Sequence, residues 1–276
     1  MTAPESQAAG ALLPAVVVRA EPTGRLAQAL ALAGNPQERP SGALRVLGDP
    51  GGVFHLASGL IAAVESPGAP DAATLLLRSG RVGEADWAAA CQVGAADGRT
   101  GEELVARALV GAAELQLMCT MAAMDGAFAV AVGRVDGFTL SRGAAAPRLA
   151  APGGVDPEWL LHETERRLRG LTSLRAPLSP FHDRLVASPL VPDARGEVLR
   201  CANGRRSARD IAFLLGRSLY SVTVEVSRLL GDGLIVIAPS EQLPRRRSGA
   251  RDGDGAALRG NALPLRPVTD RHPSPD

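Results

Sequence analysis

The strongest constraint on the fold is a run of helix start and stop signals within residues 193–239. Ser207 can cap a helix through its hydroxyl, and Asp210 stands three residues later, where the acid of a capping box lies. Gly216 can end that helix in a left-handed conformation, and Ser218 can cap the helix that follows. The pattern therefore predicts two short helices joined by a tight turn.

Other elements flank this helix pair. A short apolar stripe predicts a helix over residues 197–202, which residues 203–204 (Asn-Gly) end. The β-branched run 234–237 predicts a closing strand. One face of the last helix is apolar at helical spacing and comprises Leu219, Val222, Val226, Leu229 and Leu230. The order of three short helices and a strand resembles the winged helix-turn-helix layout of bacterial transcription factors, although the sequence after Pro239 is a poor second wing strand.

The resemblance implies a set of DNA-contacting residues. In such a module the outer face of the last helix meets base edges, and nearby arginines contact phosphates. The predicted base-contacting face consists of Arg217, Tyr220, Ser221, Val224 and Arg228. The predicted phosphate contacts are Arg205, Arg206 and Arg209. A Tyr and a Val flanked by Arg also suit the core of a protein interface, so the same face is open to a protein-docking interpretation.

Charge distribution favours DNA binding weakly. The whole chain carries a net charge of +1. Residues 193–247 contain 10 Arg and 6 acidic residues, whereas residues 1–150 contain 11 Arg and 14 acidic residues. The basic excess therefore coincides with the predicted helix-turn-helix, as a nucleic-acid-binding module requires.

The region before this module has a different period. Residues 41–64 alternate short apolar runs with Gly-rich turns, which predicts an antiparallel meander. The predicted strands are 44–47, 53–56 and 60–64, and strands 127–132 and 138–140 complete the meander. The predicted helices between them are 72–78, 83–91, 102–110 and 114–124, the third with a capping box of Thr100 and Glu103. The fold class expected for the whole chain is α+β.

Five short segments carry a resemblance to a bacterial signalling family. They are Ser41-Gly42-Ala43-Leu44, Val53-Phe54-His55-Leu56, Ser58-Gly59-Leu60-Ile61-Ala62-Ala63, Leu75-Leu76-Leu77-Arg78-Ser79-Gly80 and Asp125-Gly126-Ala127-Phe128. Together they resemble a PATAN-type domain over roughly residues 25–140, with an insert around residues 95–101. The resemblance implies an antiparallel β-meander with helices that contacts other proteins. It supplies no catalytic residue and no cofactor.

The remaining segments complete the predicted domain organisation. Residues 1–24 form an N-terminal extension, with a possible strand at 12–18, and residues 25–140 the PATAN-like domain. Residues 141–155 form a linker, and 156–192 a connecting helix and an extended segment. The winged helix-turn-helix spans 193–240 and a disordered tail 241–276, with a basic cluster at Arg245-Arg246-Arg247. Asp156-Pro157 is a strong helix start, and the charged helix after it is a candidate homodimer seam.

No pattern in the sequence predicts an enzyme, a metal site or a cofactor. The four histidines are His55, His162, His182 and His272, and none has metal-ligand spacing. Three widely separated cysteines fit buried thiols in a reducing cytosol. We find neither a signal peptide nor an apolar run of the roughly 18 residues that a membrane span needs, so we expect a cytoplasmic protein.

Two functional hypotheses follow. In the first, the chain is a DNA-binding transcriptional regulator whose N-terminal domain senses a signal or binds a protein. In the second, it is an adaptor that docks partners in a signalling complex and does not bind DNA. The function of such a module depends on its site and cannot be inferred from its fold.

Overall fold

A four-stranded antiparallel sheet and a 21-residue helix form the core of the computed structural model. It describes residues 21–33, 39–95, 98–141, 146–188 and 196–239. The predictions for the strand at 12–18, for the basic cluster at 245–247 and for the disordered tail lie outside these residues.

The sheet is built from one hairpin series and one later strand. After helix α1 (Glu21–Ala33) come β1 (Gly42–Asp49), β2 (Gly52–Ala57) and β3 (Leu60–Glu65). Much later, β4 (Arg134–Ser141) pairs with β1, and the order is β3-β2-β1-β4. The first three strands confirm the predicted meander, in which alternate side chains such as Leu44, Val46 and Phe54 are buried.

Helices connect β3 to β4. They are α2 (Ala72–Arg78), α3 (Glu84–Gly94), α4 (Thr100–Ala106) and α5 (Ala112–Val132). The predicted strand at 127–132 is wrong, because these residues form the last turns of α5. A short, fully buried apolar run cannot be assigned to helix or strand by periodicity, and here it continues a long Ala-rich helix.

Two further expectations change in this region. Thr100 does not cap α4; it lies within the helix, whose N-cap residue is Arg99, and Arg99 makes no side-chain capping bond. Helix α5 is also long and apolar enough to cross a membrane by length and composition, contrary to the prediction that no stretch is. Most of this apolar stretch is buried inside the protein, so its apolar side chains belong to the core.

Residues after β4 pack on the sheet. Residues 146–155, expected to belong to a linker, lie along β3: the backbone N–H of Ala151 donates to Ala62 O at 2.7 Å, and Ile61 and Val155 exchange two bonds of 2.8 Å. The next helix is α6 (Pro157–Thr172). The predicted cap is confirmed, since the Asp156 carboxylate accepts from the Trp159 N–H at 2.8 Å.

The C-terminal elements form a smaller layer of helices and sheet. They are β5 (Leu185–Ala187), α7 (Glu197–Cys201), β6 (Asn203–Arg206), α8 (Ala208–Leu215), α9 (Leu219–Gly231) and β7 (Ile235–Ile237). The three predicted helices and the closing strand are confirmed. Strands β5 and β6 were not predicted, and the sheet order is β6-β5-β7.

The capping signals that organised the sequence analysis are formed. Ser207 and Asp210 make both bonds of a capping box. Gly216 ends α8 with a φ of 60°, in the left-handed region. The Ser218 hydroxyl caps α9 by accepting from the Ser221 N–H. The chain is therefore a mixed α+β protein in which α8 and α9 meet through a glycine turn.

Candidate interface of helix α9

Helix α9 has an inner face, an outer face and one flank that packs against another part of the chain. Leu219, Val222 and Val226 are buried beneath it, as the apolar stripe predicts. Of the predicted outer residues, Ser221 and Arg228 are exposed and Val224 is half-buried. The outer face is therefore exposed at Ser221, near its N-terminal end, and at Arg228, near its C-terminal end.

The predicted phosphate-contacting arginines differ in availability. Arg205 on β6 is exposed. Arg206 is half-buried and donates through Nη1 to the carbonyl of Cys201 at 3.4 Å. Arg209 is also half-buried, with its guanidinium carbon 5.7 Å from the centre of the Phe213 ring. Of the three, only Arg205 projects into solvent without such a contact to another residue that the structure describes.

Arg217 is engaged in an ion pair. Its Nη2 lies 2.8 Å from a carboxylate oxygen of Glu225, which lies within α9, whereas Arg217 precedes the capping residue Ser218. The acid neutralises part of the predicted base-contacting face, and a carboxylate beside DNA phosphates is unfavourable. Any DNA contact through Arg217 therefore requires this pair to rearrange.

The predicted outward placement of Tyr220 is wrong. Its ring lies edge-on to Phe128 of α5, with ring centroids 5.3 Å apart and planes at 82°. The guanidinium carbon of Arg167, on α6, lies 5.0 Å from the centre of the same ring. Tyr220 stands about a quarter-turn from the buried stripe, and this flank of α9 packs against α5 and α6.

A buried carboxylate joins the three helices at this flank. Asp125, in the middle of α5, is fully buried. One of its oxygens accepts from Arg167 Nη1 at 2.7 Å and from the Ser218 hydroxyl at 3.0 Å. The other accepts from the backbone N–H of Leu219 at 2.7 Å. Asp125 thus binds the first residue of α9 and its capping residue. We call the set of Asp125, Arg167, Ser218, Leu219 and Tyr220 the Asp125 junction.

Several hydrogen-bond donors offset the cost of burying the Asp125 carboxylate. Burial raises the pKa of Asp125, while Arg167, Ser218 and the Leu219 N–H act in the opposite direction. Arg167 is itself held by Glu163, with Nε 3.0 Å from a carboxylate oxygen. A hydrogen bond from Arg166, and another from Arg167, keeps the pKa of Glu163 below its usual range.

Sequence reasoning missed the junction because it placed Asp125 between a predicted helix, 114–124, and a predicted strand, 127–132, and not inside one long helix. The available signal was that Asp125 is the only charged residue between Glu114 and Arg134. An isolated acid in a long apolar segment needs donors if that segment is buried. The partners are 42 and 93 residues away, so no local pattern identifies them.

The described residues contain no group of three His, Cys, Asp or Glu side chains placed to hold a metal ion. Cys119 and Cys201 are buried free thiols, and Cys91 is half-buried. Burial raises the pKa of Cys119 to about 12, so this thiol stays protonated at neutral pH.

Comparison with known proteins gives no match. No protein-family model matches the chain, and neither a curated protein nor a solved structure resembles it significantly.

Proposed function

We propose that the chain is a DNA-binding transcriptional regulator whose C-terminal residues 193–240 act as a winged helix-turn-helix module, with β5 as the central strand of its sheet. The observation that carries the proposal is the pair α8 and α9, joined by the left-handed Gly216, with α9 exposing Ser221 and Arg228. A helix presented after such a turn is the element that enters the major groove in helix-turn-helix proteins.

Unpaired surface arginines support the proposal. Arg200 on α7, Arg205 on β6 and Arg228 on α9 are exposed. Within the described residues none of them has a carboxylate within 4.0 Å in an ion pair. Exposed cations that are free of internal acids are available to neutralise phosphates, which provide most of the affinity of a DNA-binding protein.

The N-terminal part takes the second role in this proposal. The resemblance of residues 25–140 to a PATAN-type domain supports a region that binds a protein partner or senses a signal. The regulator would work in the cytoplasm without a cofactor and without enzymatic activity, and a homodimer would suit a palindromic operator.

The test is fluorescence anisotropy of the full chain with mixed-sequence duplex DNA over a series of salt concentrations. We expect the affinity for DNA to fall steeply as the salt concentration rises. If Arg228 contacts a phosphate, Arg228→Ala should lower the slope of log affinity against log salt concentration by about one. If it contacts a guanine, the substitution should weaken specific binding by about 1–3 kcal/mol. Arg45→Ala is the matched control, because Arg45 is an exposed arginine on the other sheet. The proposal is contradicted if neither the folded wild type nor a folded variant in which the contact of α9 with α5 and α6 is broken binds duplex at low salt.

A second candidate function is the protein adaptor. It is favoured by three large apolar side chains exposed in the C-terminal module, Leu214, Val236 and Ile237, each 43% exposed. Apolar surface of this kind suits a protein partner better than DNA. In this case Val236→Asp abolishes capture of a partner protein, while Arg228→Ala leaves it unchanged. Retention of capture in Val236→Asp removes this surface from the adaptor model.

A further inference from the structure

The N-terminal end of α9 is occupied from within the chain. Free N–H groups and the positive end of the dipole make a helix N-terminus suited to phosphate. Here the Asp125 carboxylate accepts the Leu219 N–H at 2.7 Å and the Ser218 hydroxyl at 3.0 Å. An internal anion therefore lies where a DNA phosphate would bind if α9 entered a groove.

Tyr220 makes a second contact that closes the same end of the helix. Its ring packs on Phe128 and under Arg167, and a methyl group added at Gly170 of α6 would lie 2.6 Å from its hydroxyl oxygen. The glycine thus permits close approach of α6 to α9. With Tyr220 held in this way, α5 and α6 cover one flank of the first turn of α9, while Ser221 on its outer face stays exposed.

The contacts of the junction also allow α9 to separate from α5 and α6. When α9 moves away, Asp125 keeps Arg167, because both belong to the packed pair of α5 and α6, and water replaces Ser218 and Leu219. A buried polar contact contributes little net stability, since desolvation offsets the attraction between its groups. Opening exposes Phe128, which is fully buried, so the closed form is the stable one without DNA.

We propose that the Asp125 junction is an autoinhibitory contact that holds the N-terminal end of α9 away from DNA. The proposal rests on the proposed DNA-binding function. A ligand or partner that separates α9 from α5 and α6 would then activate DNA binding, by its differential affinity for the open form.

Two variants of the full chain test the contact. Asp125→Asn keeps the size of the side chain and removes its charge. Gly170→Ala places a methyl group against Tyr220 and leaves every predicted DNA-contacting residue intact. Gly24→Ala, in α1, is the matched control, because a methyl group there meets no atom within 4 Å among the residues that the structure describes. Circular dichroism verifies that each variant is folded, and Gly170→Ala keeps the test valid if Asp125→Asn does not fold.

We expect Asp125→Asn and Gly170→Ala to bind mixed duplex DNA about 5- to 150-fold more tightly than the wild type, the usual range of coupling between two sites. Gly24→Ala should bind as the wild type does. Amide hydrogen exchange of residues 217–223, measured without DNA, should be faster in the two junction variants, because the first turn of α9 is released more often.

Three outcomes overturn the inference, and they are distinguishable. Faster exchange with unchanged DNA affinity shows that the contact is not inhibitory, while the DNA-binding function stands. Tighter binding in Gly24→Ala as well shows an effect unrelated to the junction. Failure of every folded variant to bind duplex at low salt contradicts the DNA-binding function itself, and with it the inhibition.

Discussion

Helices α5 and α9 meet at Asp125, yet they are stabilised in different ways. Helix α5 has no side-chain cap at its start, and its residues 125–131 are all buried. Helix α9 is capped by Ser218, buries one face and leaves another exposed. Packing therefore stabilises α5, whereas α9 depends on a cap, one apolar face and the flank at Tyr220 that contacts α5 and α6. Substitutions in α5 should accordingly change stability, and those on the outer face of α9 should change binding alone.

The largest effect should come from the aromatic contact between the two helices. Phe128→Ala removes a fully buried ring and should lower the free energy of unfolding by about 3–5 kcal/mol. Ser221→Ala, on the exposed face of α9, should change it by less than about 0.5 kcal/mol. Urea denaturation of both variants measures the contrast. Similar losses in the two would mean that α9 is packed on its outer face as well.

The buried charges should give a nearly equal effect. Arg167→Met leaves the Asp125 carboxylate without its cation and should destabilise the fold by about 3–5 kcal/mol. The double variant Asp125→Asn/Arg167→Met removes both charges and should recover most of that loss. Denaturation of the two singles and the double gives the coupling energy. Additive losses would show that Asp125 does not depend on Arg167.

The same contrast explains how far the sequence could predict the fold. The ends of α8 and α9 follow from Ser207, Gly216 and Ser218, because caps and left-handed glycines act within three or four residues. The first hairpin follows from alternating apolar residues and a Gly-rich turn. These signals are local, so one chain segment contains both partners of each interaction.

The errors arise where partners are distant. The sequence of residues 127–132 is typical of a strand. In the structure these residues form the end of α5, where burial of the surrounding residues stabilises a helix. Tyr220 looks like an outer residue until α6 is placed beside it. Strands β5 and β6 are short and carry no clear alternation. Each forms by pairing with strands distant in sequence, β6 with β5, and β5 with both β6 and β7. Hydrophobic periodicity therefore cannot predict a candidate site where three helices meet.

A smaller effect should separate the two serine caps. Ser207→Ala should cost about 1 kcal/mol, the usual value of a lost N-cap. Ser218→Ala loses its cap and also leaves the buried Asp125 carboxylate short of one donor, which costs about a further 1–3 kcal/mol. Denaturation midpoints of the two variants compare them directly. Equal losses would indicate that the Ser218 hydroxyl contributes to α9 alone and not to the Asp125 junction.

The smallest effect concerns pH, because Asp125 and Glu163 have pKa values displaced in opposite directions. The pKa of Glu163 is lowered, chiefly by its hydrogen bond from Arg166, so its contribution to stability is present above its ordinary value of 4.5 and is lost as pH falls through the lowered value. The pKa of Asp125 is raised by burial, so the native state binds its proton more tightly and stability gains as pH falls. We expect Glu163→Gln to reduce the loss of stability in acid and Asp125→Asn to steepen it. Urea denaturation from about pH 3 to about pH 7 measures how the free energy of unfolding of each variant changes with pH. If Asp125→Asn loses less stability in acid than the wild type, Arg167 and the two α9 donors outweigh the effect of burial on the pKa of Asp125.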